Sequence, residues 1–110
     1  MVLRQNLFMH YKASILNCSI LYILTEYYQR TDQGMNCNAH EVIETESECR
    51  IAGFELGFTF SQKYHNPNLP AGCSFIGQHK KYFFNEILEP SKTNPHHFQT
   101  RGGICKRKQT

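Results

Sequence analysis

The sequence predicts an α+β fold: a short helix packed on a small antiparallel sheet, stapled by disulfides, with an additional helix at the N-terminus. Three observations carry that prediction. Thr45 to Gly57 (TESECRIAGFELG) has the start, the apolar face and the stop of one short helix. Cys73–Gly77 and Lys81–Asn85 are apolar, aromatic runs either side of Gly77-Gln78-His79-Lys80, the pattern of a hairpin. Four of the five cysteines, Cys37, Cys49, Cys73 and Cys105, lie in the same stretch, and the fifth, Cys18, lies upstream in an apolar run. With 110 residues, 40% of them hydrophobic and 19% charged, the chain has the composition of one globular domain rather than a disordered segment.

From the N-terminus, Arg4, His10 and Lys12 precede the run ASILNCSILYIL, Ala13–Leu24. A basic lead and an apolar core are two parts of a secretory signal, but no small-x-small cleavage site follows. The run is shorter than the roughly 20 residues a membrane-spanning helix needs. A packing helix is the competing reading, because Leu3, Leu7, Tyr11, Ile15, Cys18 and Tyr22 form one stripe. Residues 1–30 are therefore expected to be an apolar, signal- or anchor-like helix, and Thr31–Asn36 (TDQGMN) a linker. The folded module is expected over 37–106, with a basic tail at 107–110.

Within the module, Val42 and Ile43 suggest a short strand feeding the helix. Thr45 and Glu48 form an S/T-x-x-E capping box, and Glu44, Glu46 and Glu48 suit the positive end of the helix dipole. Cys49, Ala52, Gly53 and Leu56 share one face, whose small residues predict a close neighbour. Phe54 and Phe58 flank it, and at least one of them should be buried. Gly57 supplies the left-handed residue that ends the helix. Phe58-Thr59-Phe60 alternates like a strand, and Gln62–Gly72 reads as a loop with two prolines and two asparagines. Glu89–Gly103 is a second long loop, and Ile104-Cys105 a last strand. Thr31–Ser61 carries six acids against Arg50 alone, whereas the chain from Gln62 onward has eight bases against Glu86 and Glu89. That asymmetry predicts an acidic helix lying across a basic sheet. The net charge of +3 is too small to argue for nucleic acid.

Five short motifs stand in order: I43-E-T-E-S-E-C49, A52-G-F-E-L56-G57, P70-A-G-C73, Y82-F-F-N85 and I104-C105-K106. Over about residues 37 to 106 this order resembles a cysteine-rich module of predicted secreted proteins in algae, protists and some simple animals. That module reads C…I-T-x-x-E-C-x-x-A-x-x-x-L-G, then P-P-G-C, a tyrosine-rich strand with F-N, and I-C-K. Here Ala71 replaces the second proline, and Asn94-Pro95-His96-His97 occupies the region of a further cysteine. The resemblance implies an extracellular setting and no particular activity.

Four cysteines allow three pairings. The layout favours Cys49–Cys73, helix to hairpin, and Cys37–Cys105, closing the ends of the module, as small domains in oxidising compartments often require. Cys37, His40, Cys49, Cys73, His79 and Cys105 could alternatively ligate zinc in an intracellular interaction domain, although only Cys37 and His40 have the close spacing of a zinc pair.

Catalysis finds little support. A Cys73–His65 or Cys73–His79 nucleophile pair lacks an orienting group and an oxyanion site. No phosphate loop, metalloprotease motif or serine-nucleophile elbow is present. The expectation is a non-catalytic recognition or matrix module, without cofactor or nucleic acid, binding a protein or carbohydrate. Binding residues concentrate on loops carried by rigid scaffolds. The candidate contacts are therefore Tyr64, His65 and Asn66 in the first loop, His79 and Lys80 in the hairpin turn, and His96 and His97 in the second loop. One face of the aromatic hairpin (Phe75, Tyr82, Phe83, Phe84) could also bind, unless the helix and the Glu89–Gly103 loop cover both.

Overall fold

The computed structural model of the chain describes residues 25–109. The strands are β1 (Thr25–Arg30), β2 (Thr59–Tyr64), β3 (Gly72–Ile76), β4 (Lys81–Asn85) and β5 (Arg101–Gln109), and helix α1 spans Glu46–Glu55. They form one five-stranded sheet in the order β1-β5-β3-β4-β2. All neighbours are antiparallel except β2 and β4, which run parallel, so the sheet is mixed rather than purely antiparallel. The parallel pair follows from the chain's path. After β2 the loop from His65 passes the end of β4 to start β3, and the hairpin returns β4 alongside β2.

The helix has the predicted ends with one change. Thr45 accepts a hydrogen bond from the Glu48 backbone N–H at 3.2 Å, but the Glu48 carboxylate does not close the capping box. It accepts instead from the Tyr28 hydroxyl at 3.0 Å and from Lys106 Nζ at 3.3 Å, joining the helix to β1 and β5. Cys49, Ala52 and Gly53 are buried against the sheet. The close neighbour is Tyr82, whose ring occupies the space a side chain at Gly53 would need. Lys63 on β2 lies 3.8 Å from Glu46, and Lys106 pairs with Glu48, so the acidic helix does lie across bases of the sheet.

The central strands β3 and β4 are buried on both faces. Cys73, Phe75, Tyr82, Phe84 and Ile104 meet the helix face, with Ile43, Cys49 and Ala52 above them. On the opposite face Ser74, Phe83 and Asn85 are also buried, covered by chain outside the helix, and Phe98 from the second long loop is fully buried. Each face has its own bridge: Cys49–Cys73, with Cα atoms 5.2 Å apart, fastens the helix, and Cys37–Cys105, at 5.5 Å, fastens the segment before it. These are the two pairs the sequence favoured.

Several boundaries differ from expectation. Residues 25–30 are not the end of a helix but an edge strand, since β5 pairs with them from Arg30↔Ile104 to Thr25↔Gln109. Of the expected basic tail, Arg107–Gln109 belongs to β5: Arg107 lies 3.6 Å from Glu41, and Lys108 stands in register with Glu26 without an ion pair, while Lys106 just before them pairs with Glu48. Thr31–Asn36 is no loose linker. Thr31 N–H donates to Gly103 O, Gly34 N–H to Arg101 O, and Gly103 N–H to Met35 O. Val42 makes a single bridge to Cys105 rather than a strand, and Gln62–Tyr64 belongs to β2 rather than to a loop. The apolar run, its stripe and Cys18, with the signal, anchor or packing-helix reading, lie outside the described residues.

Candidate functional site

A cluster of partly exposed aromatic rings lies where α1 ends and β2 begins. Gly57, with φ of +82°, turns the chain out of the helix, and its N–H donates to Phe54 O while Phe58 N–H donates to Gly53 O. Thr59 N–H then donates to Lys80 O, aligning β2 beside β4. The result is an open depression of about 430 Å³ lined by Phe54, Gly57, Phe58, Thr59, Phe60 and Tyr82. Phe54 is 80% exposed at its rim. The other rings are fixed from behind: Phe58 meets Phe75 edge-on at 6.0 Å, and Phe60 meets Tyr82 at 5.3 Å.

Two polar side chains beside it, Arg50 and Tyr82, are already engaged. Arg50 lies 3.7 Å from the Phe60 ring centre and pairs with Glu46 at 2.9 Å. The Tyr82 hydroxyl donates to Arg50 O at 3.2 Å, and burial pushes its pKa up from 10.0 against the pull of the Arg50 charge. Among the described residues, Tyr82 is the only titratable one lining the depression. The site can stack a ring or seat an apolar side chain, and it offers no acid–base pair. Sequence reasoning did not nominate Phe54. A signal existed: Ile51 and Phe54 make a short apolar pair at i and i+3, on the side of the helix away from Cys49 and Ala52, and both are exposed.

A polar cleft of about 370 Å³ runs along β1 and the turn after it, lined among others by Arg30, Asp32, Asn38 and Arg107. Arg107 Nε is buried there without a hydrogen bond, 3.6 Å from Glu41 Oε1. Glu41 in turn accepts from Asn38 Nδ2 at 3.3 Å, so the cation already faces a carboxylate.

The predicted contact residues are not gathered into one place. His79 and Lys80 occupy the hairpin turn, Lys80 in the left-handed conformation at φ of 52°. Tyr64, His65 and Asn66 lie at the other end of the sheet, near Gly72 and Asn85. Tyr64 packs edge-on against Phe83 at 5.2 Å. Asn66 is structural, exchanging hydrogen bonds with the fully buried Asn85: its N–H donates to Asn85 Oδ1 at 3.1 Å, and its carbonyl accepts from Asn85 Nδ2 at 2.8 Å. Asn85 Nδ2 also donates to Leu69 O and Pro70 O, so one amide holds the whole first loop.

Asn94 stitches the second loop to the first through Pro67 O and Asn68 Oδ1. His65 is exposed, with Nδ1 3.7 Å from Glu86 Oε1, and His96 and His97 are exposed in a short turn. The sulfurs of Cys37, Cys49, Cys73 and Cys105 are all in bridges, and among the described residues no three His, Cys, Asp or Glu side chains gather as metal ligands. No family model, curated protein or solved structure matches the chain.

Proposed function

We propose that this chain is an extracellular, non-catalytic recognition module that engages a protein or carbohydrate partner through the depression at the end of α1. One observation carries the reading: Phe54 stands 80% exposed beside Phe58, Phe60 and Tyr82, on a scaffold stapled on both faces. Holding a large aromatic ring in water forgoes about 1.5–3 kcal/mol of burial, and a binding surface recovers that when a partner covers it. Buried disulfides suit an oxidising compartment. Among the described residues no helix is long and apolar enough to cross a membrane. The exposed histidines and Lys80 are then rim contacts or bystanders, since they lie on separate loops.

The test compares the wild-type chain with Phe54→Ala and Phe54→Ser on arrays of extracellular glycans and peptides. Phe54 contacts solvent, so both variants should melt with the wild type while losing binding about tenfold or more. A ligand retained at full affinity by both variants, and lost when His96 and His97 are changed, would move the site to the loops.

A further inference from the structure

The two edges of the sheet are not alike. β2 carries an irregular register between Phe60 and Lys63, and Lys63 sits on it between Glu46 and Glu86. A bulge and an edge lysine are devices that keep a sheet from pairing with another chain. β1 has neither: its six residues, TEYYQR, contain no glycine, proline or lysine, and its pairing with β5 is regular throughout.

The direction of its backbone groups can be read from one hydrogen bond. Thr31 N–H donates to Gly103 O, continuing the β1–β5 ladder. Amide direction alternates along a strand, so Gln29 and Tyr27 also point toward β5. Glu26, Tyr28 and Arg30 therefore point their N–H and C=O groups away from β5, along an edge that no other strand covers among the described residues. Their side chains share the helix face, where Tyr28 meets Glu48 and Arg30 lies 5.3 Å from the Phe75 ring.

From this pattern we infer that β1 pairs antiparallel with β1 of a second copy of the chain, about a two-fold axis at Tyr28. Of the antiparallel registers, this one places every outward-facing residue opposite another. Tyr28 meets the partner's Tyr28, and Glu26 meets the partner's Arg30, with Arg30 meeting the partner's Glu26 by symmetry. Neither Glu26 nor Arg30 has an ion-pair partner among the described residues. The charge pattern of the strand is thus self-complementary in the same register that its hydrogen-bonding groups select. An isologous contact of this kind closes on itself and joins two five-stranded sheets edge to edge.

Sedimentation velocity on the full chain across a concentration series tests the pairing. The wild type should dimerise reversibly. Glu26→Arg and Arg30→Glu each place like charges opposite one another twice per dimer. Each should weaken association by about tenfold or more, and the double variant E26R/R30E should recover to within about threefold of wild type.

Arg30 also lies over Phe58 and Phe75, so its variants are checked by melting. Hydrogen exchange on the wild type gives a second readout that needs no substitution. Tyr28 and Arg30 amides should gain protection as concentration rises, while Tyr27 and Gln29 stay protected at every concentration. A monomer throughout the series overturns the inference. So does protection of Tyr28 and Arg30 that ignores concentration, which would place another segment of the same chain on the edge. A dimer indifferent to the charge reversals would overturn it as well.

Discussion

Gly53 is the point at which the helix is fitted to the sheet, and replacing it separates two opposing effects. Alanine in a helix interior is favoured over glycine by about 1 kcal/mol. The added methyl, however, would lie 2.5 Å from both Cγ and Cε1 of Tyr82. That ring cannot swing aside without loss, because its hydroxyl is bonded to Arg50 O and its edge is packed on Phe60. Overpacking of this kind costs about 1–3 kcal/mol. Gly53→Ala should therefore destabilise the fold by up to about 2 kcal/mol. In a Tyr82→Ala background, where the clash is gone, the same change should stabilise by about 1 kcal/mol. Urea denaturation of the four proteins in the cycle gives a coupling energy equal to the clash, expected at about 1–3 kcal/mol. A Gly53→Ala protein more stable than wild type with Tyr82 intact would refute the packing argument.

Other consequences can be measured in the same way. Replacing Cys49 and Cys73 by alanine should remove about 3.5 kcal/mol, and replacing Cys37 and Cys105 about 4.4 kcal/mol, since the second bridge closes the longer loop; chemical denaturation ranks the two. Asn85→Ala strips the carbonyls of Asn66, Leu69 and Pro70 of a buried donor and should cost about 2–4 kcal/mol, with limited proteolysis then cutting near Asn66 before the helix. Tyr28 has its pKa raised, first by burial and then by its bond to the Glu48 carboxylate, so the folded state favours the neutral phenol. The stability this adds is fully present below about pH 10 and is lost as pH climbs through the higher folded value, and Tyr28→Phe should flatten that alkaline decline in melting temperature. A chain beginning at Thr25 should keep the fold, whereas one beginning at Cys37 should melt well below it, because Glu48 loses Tyr28 and the Phe58–Phe75 pair loses Arg30.

The parts of the fold that could be read in the sequence are those written within a dozen residues. Thr45 and Gly57 mark a helix by local backbone chemistry, Ala52-Gly53 announces a close neighbour, and Gly77–Lys80 sits between two strands that have no other way to pair. The bridges followed from these elements, because Cys49 and Cys73 occupy faces that must meet.

What could not be read depends on partners distant in sequence. Nothing in TEYYQR distinguishes a strand from the end of an apolar helix until Lys106–Gln109 lies beside it, and that pairing in turn draws a basic tail into the sheet. The Glu48 side chain fits a capping box by spacing, yet Tyr28 and Lys106 claim it. In the sequence Asn66 reads as a ligand-facing loop residue because its tie to Asn85, across a gap of nineteen residues, has no local trace. Phe54 was passed over for a related reason. A phenylalanine beside a core face is ordinarily core, and the exposed stripe it shares with Ile51 is too short to outweigh that expectation.

The recognition role proposed above requires an oxidised, doubly stapled scaffold. The state of its thiols tests this most directly. Protein purified from its natural source, alkylated without reduction and digested, should yield a peptide joining Cys37 to Cys105 and another joining Cys49 to Cys73. Alkylated, unbridged Cys49 and Cys73, or release of zinc when the thiols are blocked, would contradict it.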